Sequence, residues 1–171
     1  MRVIFVAGVH GVGKGTLSDV LTKKYQLEAF SASNLIRDEK KSKVDINKVV
    51  QDPKDNQDHL SNAIEKLTAR SSRILLDGHF CLNSSEGIFK VPTSTFDSLC
   101  LEAVFLVIEK PSIIFERLLK RDGGSMDIEL IETLQNEEIL QAKFITSYLK
   151  IPLIISESGN IKDLEKYLID R

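Results

Sequence analysis

The sequence is poor in the residues that mark several protein classes. Its 171 residues include no tryptophan, four prolines and two cysteines, Cys81 and Cys100. Two cysteines are too few for a disulfide scaffold, and with three scattered histidines they match no zinc-binding spacing. No apolar run approaches the roughly 18 residues that cross a bilayer, and the apolar stretch at residues 1–7 is too short for a signal peptide. We therefore expect a cytoplasmic protein with reduced thiols and no membrane contact.

The chain also lacks an excess of charge of either sign. It carries 23 basic and 25 acidic residues, a net charge of −2. This balance excludes a polycation that binds nucleic acid without specificity. A hydrophobic content of 42% and the length suit one compact domain. We expect no direct contact with nucleic acid, and a protein partner is left open.

Glycine is scarce, but it is concentrated in one place. Four of the nine glycines, Gly8, Gly11, Gly13 and Gly15, lie within eight residues. Glycine lets the backbone approach another group closely, so the cluster predicts a binding site lined by backbone.

Strand and helix patterns alternate along the chain. Apolar runs typical of buried strands occur at residues 3–7, 27–30, 73–77, 103–108 and 152–155. Helices are predicted over residues 16–25, 31–40, 57–69, 111–121, 127–150 and 161–169. Residues 40–58 show no clear pattern, and residues 78–98 are expected to form a long loop. This alternation predicts an α/β fold with three layers, in which helices cover both faces of a doubly wound, parallel, five-stranded sheet.

Residues 8–16, which read Gly-Val-His-Gly-Val-Gly-Lys-Gly-Thr, fit the signature of a phosphate-binding loop between a strand and a helix. Backbone N–H groups and the helix N-terminus would surround the phosphates of ATP, and Lys14 would add a point charge. The predicted ATP-binding residues of this loop are Gly11, Val12, Gly13, Lys14, Gly15 and Thr16. Because Gly15 stands where a hydroxyl residue usually follows the lysine, we expect Thr16 to reach Mg²⁺ through water. The alternative is a glycine-rich turn that binds nothing.

A carboxylate ends the third predicted strand. Ligands of open parallel sheets bind beyond the carboxyl ends of the strands, which is where Asp77 stands. We expect Asp77 to hold Mg²⁺, mainly through water. The alternative is an aspartate that caps the backbone of Gly78 or Phe80.

Four segments together resemble the adenylate kinases and related nucleoside monophosphate kinases. The first is the Gly-Lys-Gly-Thr ending of the phosphate loop, and the second is residues 30–37, Phe-Ser-Ala-Ser-Asn-Leu-Ile-Arg. The resemblance implies that Arg37 grips the phosphate of the acceptor nucleotide, with Ser31 and Asn34 beside it. The third segment, residues 76–80, is most similar to the archaeal-type adenylate kinases and places His79 near the acceptor. The family's arginine shortly after this segment is missing, and Cys81, Leu82 and Asn83 stand there instead. In the second segment the residues at positions 32–34 depart from the family's pattern, so the acceptor base is left open.

The fourth segment, residues 116–122, resembles the start of the family's lid. This resemblance implies that Arg117 and Arg121 hold the donor nucleotide and compensate the charge of the transferring phosphoryl group. By position, the loop with Ser158 and Gly159 matches the one that packs on the donor adenine. The expected organisation is a single P-loop kinase domain over residues 1–171, with an acceptor-binding insertion at about 31–69 and a short lid at about 121–127.

The residues and the resemblance leave three functions to compare. The first is transfer of the ATP γ-phosphoryl group to a nucleoside monophosphate, with ATP and Mg²⁺ as cofactors and Lys14, Asp77, Arg117 and Arg121 as catalytic residues. The second is a P-loop kinase with a hydroxyl acceptor, which needs Asp38 or His79 to take a proton. The third is an ATP-binding regulatory module that hydrolyses ATP slowly.

Overall fold

The computed structural model describes residues 2–44, 53–68, 73–123 and 126–170. Within these residues the strands are β1 (Arg2–Ala7), β2 (Glu28–Ser31), β3 (Arg73–Asp77), β4 (Cys81–Ser84), β5 (Gly87–Lys90), β6 (Leu101–Ile108) and β7 (Leu153–Glu157). The helices are α1 (Lys14–Tyr25), α2 (Ala32–Val44), α3 (Pro53–Thr68), α4 (Thr93–Asp97), α5 (Pro111–Asp122), α6 (Ile128–Leu149) and α7 (Lys162–Ile169). None of the described helices has the length and apolar content needed to cross a bilayer.

Five strands form one parallel sheet in the order β2-β3-β1-β6-β7. The predicted α/β fold with a doubly wound, parallel, five-stranded sheet is therefore confirmed. Strand β1 is central, and its residues 3–7 are buried because neighbouring strands and helices cover both edges and both faces. In the register, Val6 of β1 and Ser31 of β2 both lie opposite Asp77 of β3. This pairing brings the phosphate loop, the carboxylate and the start of α2 to the same edge of the sheet.

Two apolar layers hold the helices against the sheet. On one face, side chains of α1, α5, α7 and the first half of α6 pack on Ile4, Val6 and Phe105. On the other face, α3, α4 and the second half of α6 pack on Val3 and Phe5. The ring of Phe5 makes edge-on contacts with two further phenylalanines, Phe80 at 5.1 Å and Phe96 at 5.6 Å between centroids. Such aromatic pairs add about 0.5–1.5 kcal/mol each to the burial of apolar area.

The expectation of a long loop at residues 78–98 is wrong. Strands β4 and β5 form an antiparallel hairpin there, and the short helix α4 follows. The turn at residues 85 and 86 is closed by Ser84, whose hydroxyl donates to the carbonyl of Gly87 at 2.7 Å, and Gly87 adopts a φ of 108° that favours glycine. Four-residue strands with mostly exposed side chains leave too short a pattern to recognise in the sequence.

The two helices within the predicted acceptor-binding insertion are longer than expected. Helix α2 continues to Val44 and α3 begins at Pro53, so the unpatterned stretch assigned to residues 40–58 is shorter than predicted. Residues 45–52 lie outside the described residues, as do Gly124 and Ser125 of the predicted lid. The lid at about 121–127 and the insertion at about 31–69 therefore stay predictions.

Candidate active site

The phosphate loop joins β1 to α1 at the carboxyl edge of the sheet. Gly13 precedes the helix with a φ of 111°, and a Cβ atom there would lie 2.7 Å from the hydroxyl oxygen of Ser158. A Cβ atom on Gly8 would lie 2.5 Å from the carbonyl oxygen of Val107. These glycines are thus required by the close packing of the loop on β6 and on the turn after β7. At Gly15, by contrast, a Cβ atom would meet nothing within 4 Å, and the residue lines open space.

Lys14 lies under the loop with only 7% of its surface exposed. Its Nζ donates hydrogen bonds to the carbonyl oxygens of Gly8 at 2.7 Å and Val9 at 3.3 Å. Nζ also lies 3.7 Å from a carboxylate oxygen of Asp77. Burial lowers the pKa of Lys14, and the negative charges of Asp77 and Glu138 partly offset that effect. The ammonium group is therefore held at the base of the loop by oxygen atoms on several sides.

Asp77 occupies the strand end that the sequence analysis predicted. Burial raises the pKa of its carboxyl group, and the attraction of Lys14 opposes this shift. Asp77 and Thr16 line the same cavity. Among the described residues, no cluster of three or more His, Cys, Asp or Glu side chains is placed to hold a metal ion. The pair fits Mg²⁺ nonetheless, because this ion commonly takes one or two protein oxygens and completes its shell with phosphate oxygens and water.

One cavity of about 900 Å³ gathers most of the predicted site residues. This volume is in the range of pockets that hold drug-sized ligands. The predicted residues that line it are Gly11, Gly13, Lys14, Gly15, Thr16, Ser31, Asp77, His79, Arg117, Arg121, Ser158 and Gly159. Three predicted residues do not line it: Val12, Asn34 and Arg37.

The three residues outside the cavity wall have different surroundings. Val12 is fully buried, and its carbonyl faces Arg117. Asn34 is exposed on α2. Arg37 lies on the same helix with its side chain 60% exposed, and its Nε is 3.6 Å from the carboxylate of Asp38. The role that the family resemblance gives Arg37 stays a prediction.

Arg117 connects the phosphate loop to the turn after β7. One guanidinium nitrogen donates to the carbonyl oxygen of Val12 at 2.9 Å and to the hydroxyl of Ser158 at 3.2 Å. The other terminal nitrogen pairs with the carboxylate of Glu109 at 3.1 Å. This forked arrangement fixes the side chain of Arg117 beside the loop. Arg121 lies one turn further along α5, with an exposed side chain that lines the cavity.

The side of the cavity formed by the hairpin is largely apolar. Leu82 and Phe89 lie opposite each other on β4 and β5, so they share one face of the hairpin, and each is about 40% exposed. Both line the cavity, as does Thr95, whose buried hydroxyl has no hydrogen-bond partner among the described residues. The sequence does not indicate this wall, because its pattern predicts a loop at residues 78–98. The further apolar residues on this side are Phe5, Ile36, Leu60, Val91, Pro92, Phe96 and Leu99.

Two histidines lie next to each other, one in the phosphate loop and one shortly after β3. The ring centroids of His10 and His79 are 4.2 Å apart. Burial, the positive charge of Lys14 and the neighbouring His10 lower the pKa of His79 to about 2. His79 is therefore neutral at physiological pH and can accept a hydrogen bond, but it is a very weak base.

Glu138 on α6 is a site residue that the sequence analysis did not recognise. Only 1% of its surface is exposed, and its carboxylate accepts hydrogen bonds from three backbone N–H groups: Gly8 at 3.2 Å, Phe80 at 2.9 Å and Cys81 at 2.7 Å. Burial raises the pKa of Glu138, and the three N–H donors and Lys14 act against that rise. The signal in the sequence is an acidic residue within the apolar stripe of a helix.

Comparison with known proteins identifies the family. A family model described as AAA domain matches residues 7–135, and the chain belongs to that family. An adenylate kinase of Pelagibacter ubique (strain HTCC1062) is 31% identical over 127 residues. That match covers 69% of this chain and 59% of that protein, so the chain spans well under two thirds of its relative's length. The resemblance to adenylate kinases that the motifs predicted is thereby confirmed.

Solved structures support the fold. A sugar kinase from Janibacter sp. HTCC2649 superposes with a TM-score of 0.58 at 17% identity, covering 99% of this chain and 93% of that one. A gluconokinase from Sinorhizobium meliloti 1021 gives a TM-score of 0.53 at 14% identity, covering 93% and 83%. At these identities the similarity concerns the fold alone, which is that of P-loop kinases.

Proposed function

We propose that this P-loop kinase transfers the γ-phosphoryl group of ATP to a nucleoside monophosphate. The observation that carries the proposal is that Lys14 and Asp77 lie 3.7 Å apart at the base of one cavity, with Arg117 and Arg121 along its wall. A cavity with three cationic side chains around a glycine-rich loop suits a polyphosphate. The adenylate kinase relative and the four matching motifs support the choice of acceptor.

For this transfer the protein must mainly align the donor with the acceptor and compensate negative charge, and it need not form a covalent bond to the phosphoryl group. The backbone N–H groups of residues 11–16 would hold the donor phosphates, and Lys14 would neutralise charge that builds up on them. Arg117, already fixed by Val12 and Ser158, would compensate the transferring group from the side. Bound Mg²⁺, held by Asp77 and through water by Thr16, would supply further charge compensation. A phosphate acceptor is already an oxyanion, so this transfer needs no general base.

To hold the acceptor phosphate, Arg37 would have to release its ion pair with Asp38. It now pairs with Asp38 at 3.6 Å, and both side chains are largely exposed. Exposed ion pairs contribute about 0–1 kcal/mol, so a phosphate dianion can displace Asp38 at little cost. Ser31, Asn34 and His79 would accompany Arg37 on the acceptor side.

A second candidate is a kinase for an uncharged acceptor that carries a hydroxyl group. The observation that favours it is the apolar wall around Leu82 and Phe89, since the cationic side chains lining the cavity, among the described residues, lie on its donor side. A hydroxyl acceptor requires a base to take its proton. His79 lines the cavity, but its lowered pKa makes it a weak base, and Asp38 pairs with Arg37 outside the cavity.

The experiment is an acceptor panel with release of ADP as the readout, with and without Mg²⁺. ATP is combined with AMP, CMP, UMP, GMP or dTMP, and in parallel with a set of sugars and other small alcohols. We expect turnover with at least one monophosphate, and at least a tenfold loss in Arg37→Ala, with the exposed Lys23→Ala on α1 as the control. Turnover of alcohols alone, unaffected by Arg37→Ala, would favour the second candidate. ADP release with water as the only acceptor would favour the slow ATPase.

A further inference from the structure

A single buried carboxylate joins three backbone segments around the candidate site. One oxygen of Glu138 accepts from the N–H groups of Gly8 and Phe80, and the other accepts from the N–H group of Cys81. Gly8 begins the phosphate loop, whereas Phe80 and Cys81 lead into the hairpin that forms the acceptor wall. The donor side and the acceptor side of the cavity are thus tied to the same side chain.

Glu138 lies on the buried, mostly apolar face of α6, where a carboxylate is unusual. Apolar neighbours on the same helix, Leu134, Ala142 and Ile145, pack into the core as expected for that face. A carboxylate is costly to bury, and it is stable there only when hydrogen bonds compensate the lost water. The three charge-assisted bonds from backbone N–H groups supply that compensation. The core could be filled by an apolar residue, but only a side chain with two acceptor oxygens can hold all three N–H groups.

Glu138 also acts on Lys14 through Gly8. The N–H group of Gly8 donates to Glu138, and the carbonyl group of Gly8 accepts from Nζ of Lys14 at 2.7 Å. Because both contacts involve one residue at the start of the loop, a displacement of Gly8 changes both. The negative charge of Glu138 additionally favours the ammonium form of Lys14.

We propose that Glu138 is a positioning residue that couples the phosphate loop to the acceptor hairpin. When nucleotide phosphates bind to Lys14 and the loop, Gly8 is displaced. The carboxylate of Glu138, which is hydrogen-bonded to Gly8, Phe80 and Cys81, transmits this displacement to Phe80 and Cys81. The wall that carries Leu82 and Phe89 is then aligned together with the donor. The consequence for turnover rests on the proposed phosphoryl transfer, but the coupling itself can be observed through nucleotide binding alone.

Glu138→Gln is the informative substitution. The glutamine amide keeps one acceptor oxygen and replaces the other with an NH₂ group, which cannot accept from a backbone N–H group. At least one of the three hydrogen bonds is therefore lost while the volume is preserved. Glu137→Gln is the matched control, because this neighbour on α6 instead pairs with Lys90 of the hairpin at 2.7 Å.

The test follows backbone amide resonances of ¹⁵N-labelled protein during titration with ADP and Mg²⁺. In the wild type and in Glu137→Gln we expect Gly8, Phe80 and Cys81 all to shift on binding. In Glu138→Gln we expect Gly8 to shift while the responses of Phe80 and Cys81 fall by at least half. In turnover with the acceptor found above, kcat should fall at least tenfold while the Kd for ADP changes less than threefold.

The results that contradict the coupling are distinct from those that contradict the nucleotide site. Equal responses of Phe80 and Cys81 in Glu138→Gln and the wild type would overturn the coupling, as would a wild-type response confined to Gly8. No response at Gly8 in the wild type would overturn the nucleotide site and the coupling together. Should Glu138→Gln fail to fold, Glu138→Asp replaces it, and the wild-type titration still decides whether the two segments respond together.

Discussion

The ammonium group of Lys14 lies 3.7 Å from the carboxylate of Asp77, although the two residues are 63 positions apart in the chain. Burial works against both charges, lowering the pKa of Lys14 and raising that of Asp77, and their mutual attraction opposes both shifts. Buried, perturbed groups in a cleft are typical of functional sites. If the Lys14–Asp77 ion pair served only the stability of the fold, apolar residues of similar volume could replace it without loss of stability.

The first prediction concerns Lys14. Lys14→Ala should reduce turnover of ATP about 100- to 1000-fold, since it removes a cation from the position where phosphate charge develops. ADP release at saturating ATP measures the effect. Lys23→Ala, an exposed lysine on the same helix, is the control and should leave turnover within twofold of the wild type. Equal activity of both variants would remove Lys14 from the proposed mechanism.

The second prediction concerns Arg117. Arg117→Lys keeps the charge but loses the fork that reaches Val12, Ser158 and Glu109. We expect kcat to fall roughly tenfold or more and the KM for ATP to rise. Lys120→Ala, an exposed cation on α5, serves as the control for a simple change in surface charge. Wild-type activity in Arg117→Lys would mean that the positive charge alone is sufficient at this position.

The third prediction concerns the hairpin wall. Phe89→Ala should raise the KM of the acceptor about tenfold or more, because a large apolar surface at the acceptor end is lost. The KM for ATP should remain within twofold, since Phe89 belongs to the hairpin and not to the phosphate loop. Asn83→Ala tests the hairpin without touching the cavity wall. A parallel rise in both KM values would indicate general damage to the fold and not an acceptor contact.

The fourth prediction concerns the two thiols. Burial and the nearby charge of Glu138 raise the pKa of Cys81 to about 12, whereas Cys100 is exposed. The thiolate is the reactive form, so at pH 8 a thiol reagent should modify Cys100 at once and Cys81 only on unfolding. Counting modified thiols against time in native buffer and in denaturant checks this. Rapid labelling of Cys81 in native Cys100→Ser protein would contradict the placement of Cys81.

Local patterns were sufficient for much of the fold. Four of the five sheet strands, β1, β3, β6 and β7, contain a short apolar run, and the run at residues 73–77 coincides with β3. The phosphate loop was recognisable because its chemistry requires glycines and a lysine at adjacent positions in sequence. Asp77 followed from the rule that parallel sheets present ligands at the carboxyl ends of their strands.

Other parts of the site depend on contacts between distant segments. The hairpin was missed because a four-residue strand with mostly exposed side chains has no distinct period. Glu138 lies 130 residues from Gly8, and nothing near it in sequence indicates three backbone N–H partners. Arg37 illustrates the opposite case, since its motif is local but the position of a long, exposed side chain depends on its surroundings.

The order of residues along the chain thus defined a phosphate loop, an alternating α/β pattern and a strand-end carboxylate, because each of these is a local chemical requirement. Folding added the 3.7 Å pairing of Lys14 with Asp77, the apolar wall of Leu82 and Phe89, and the carboxylate of Glu138 shared between loop and hairpin. Each of these needs elements that are far apart in sequence to meet at one edge of the sheet. That meeting is set by sheet order and packing, which a single sequence does not display residue by residue.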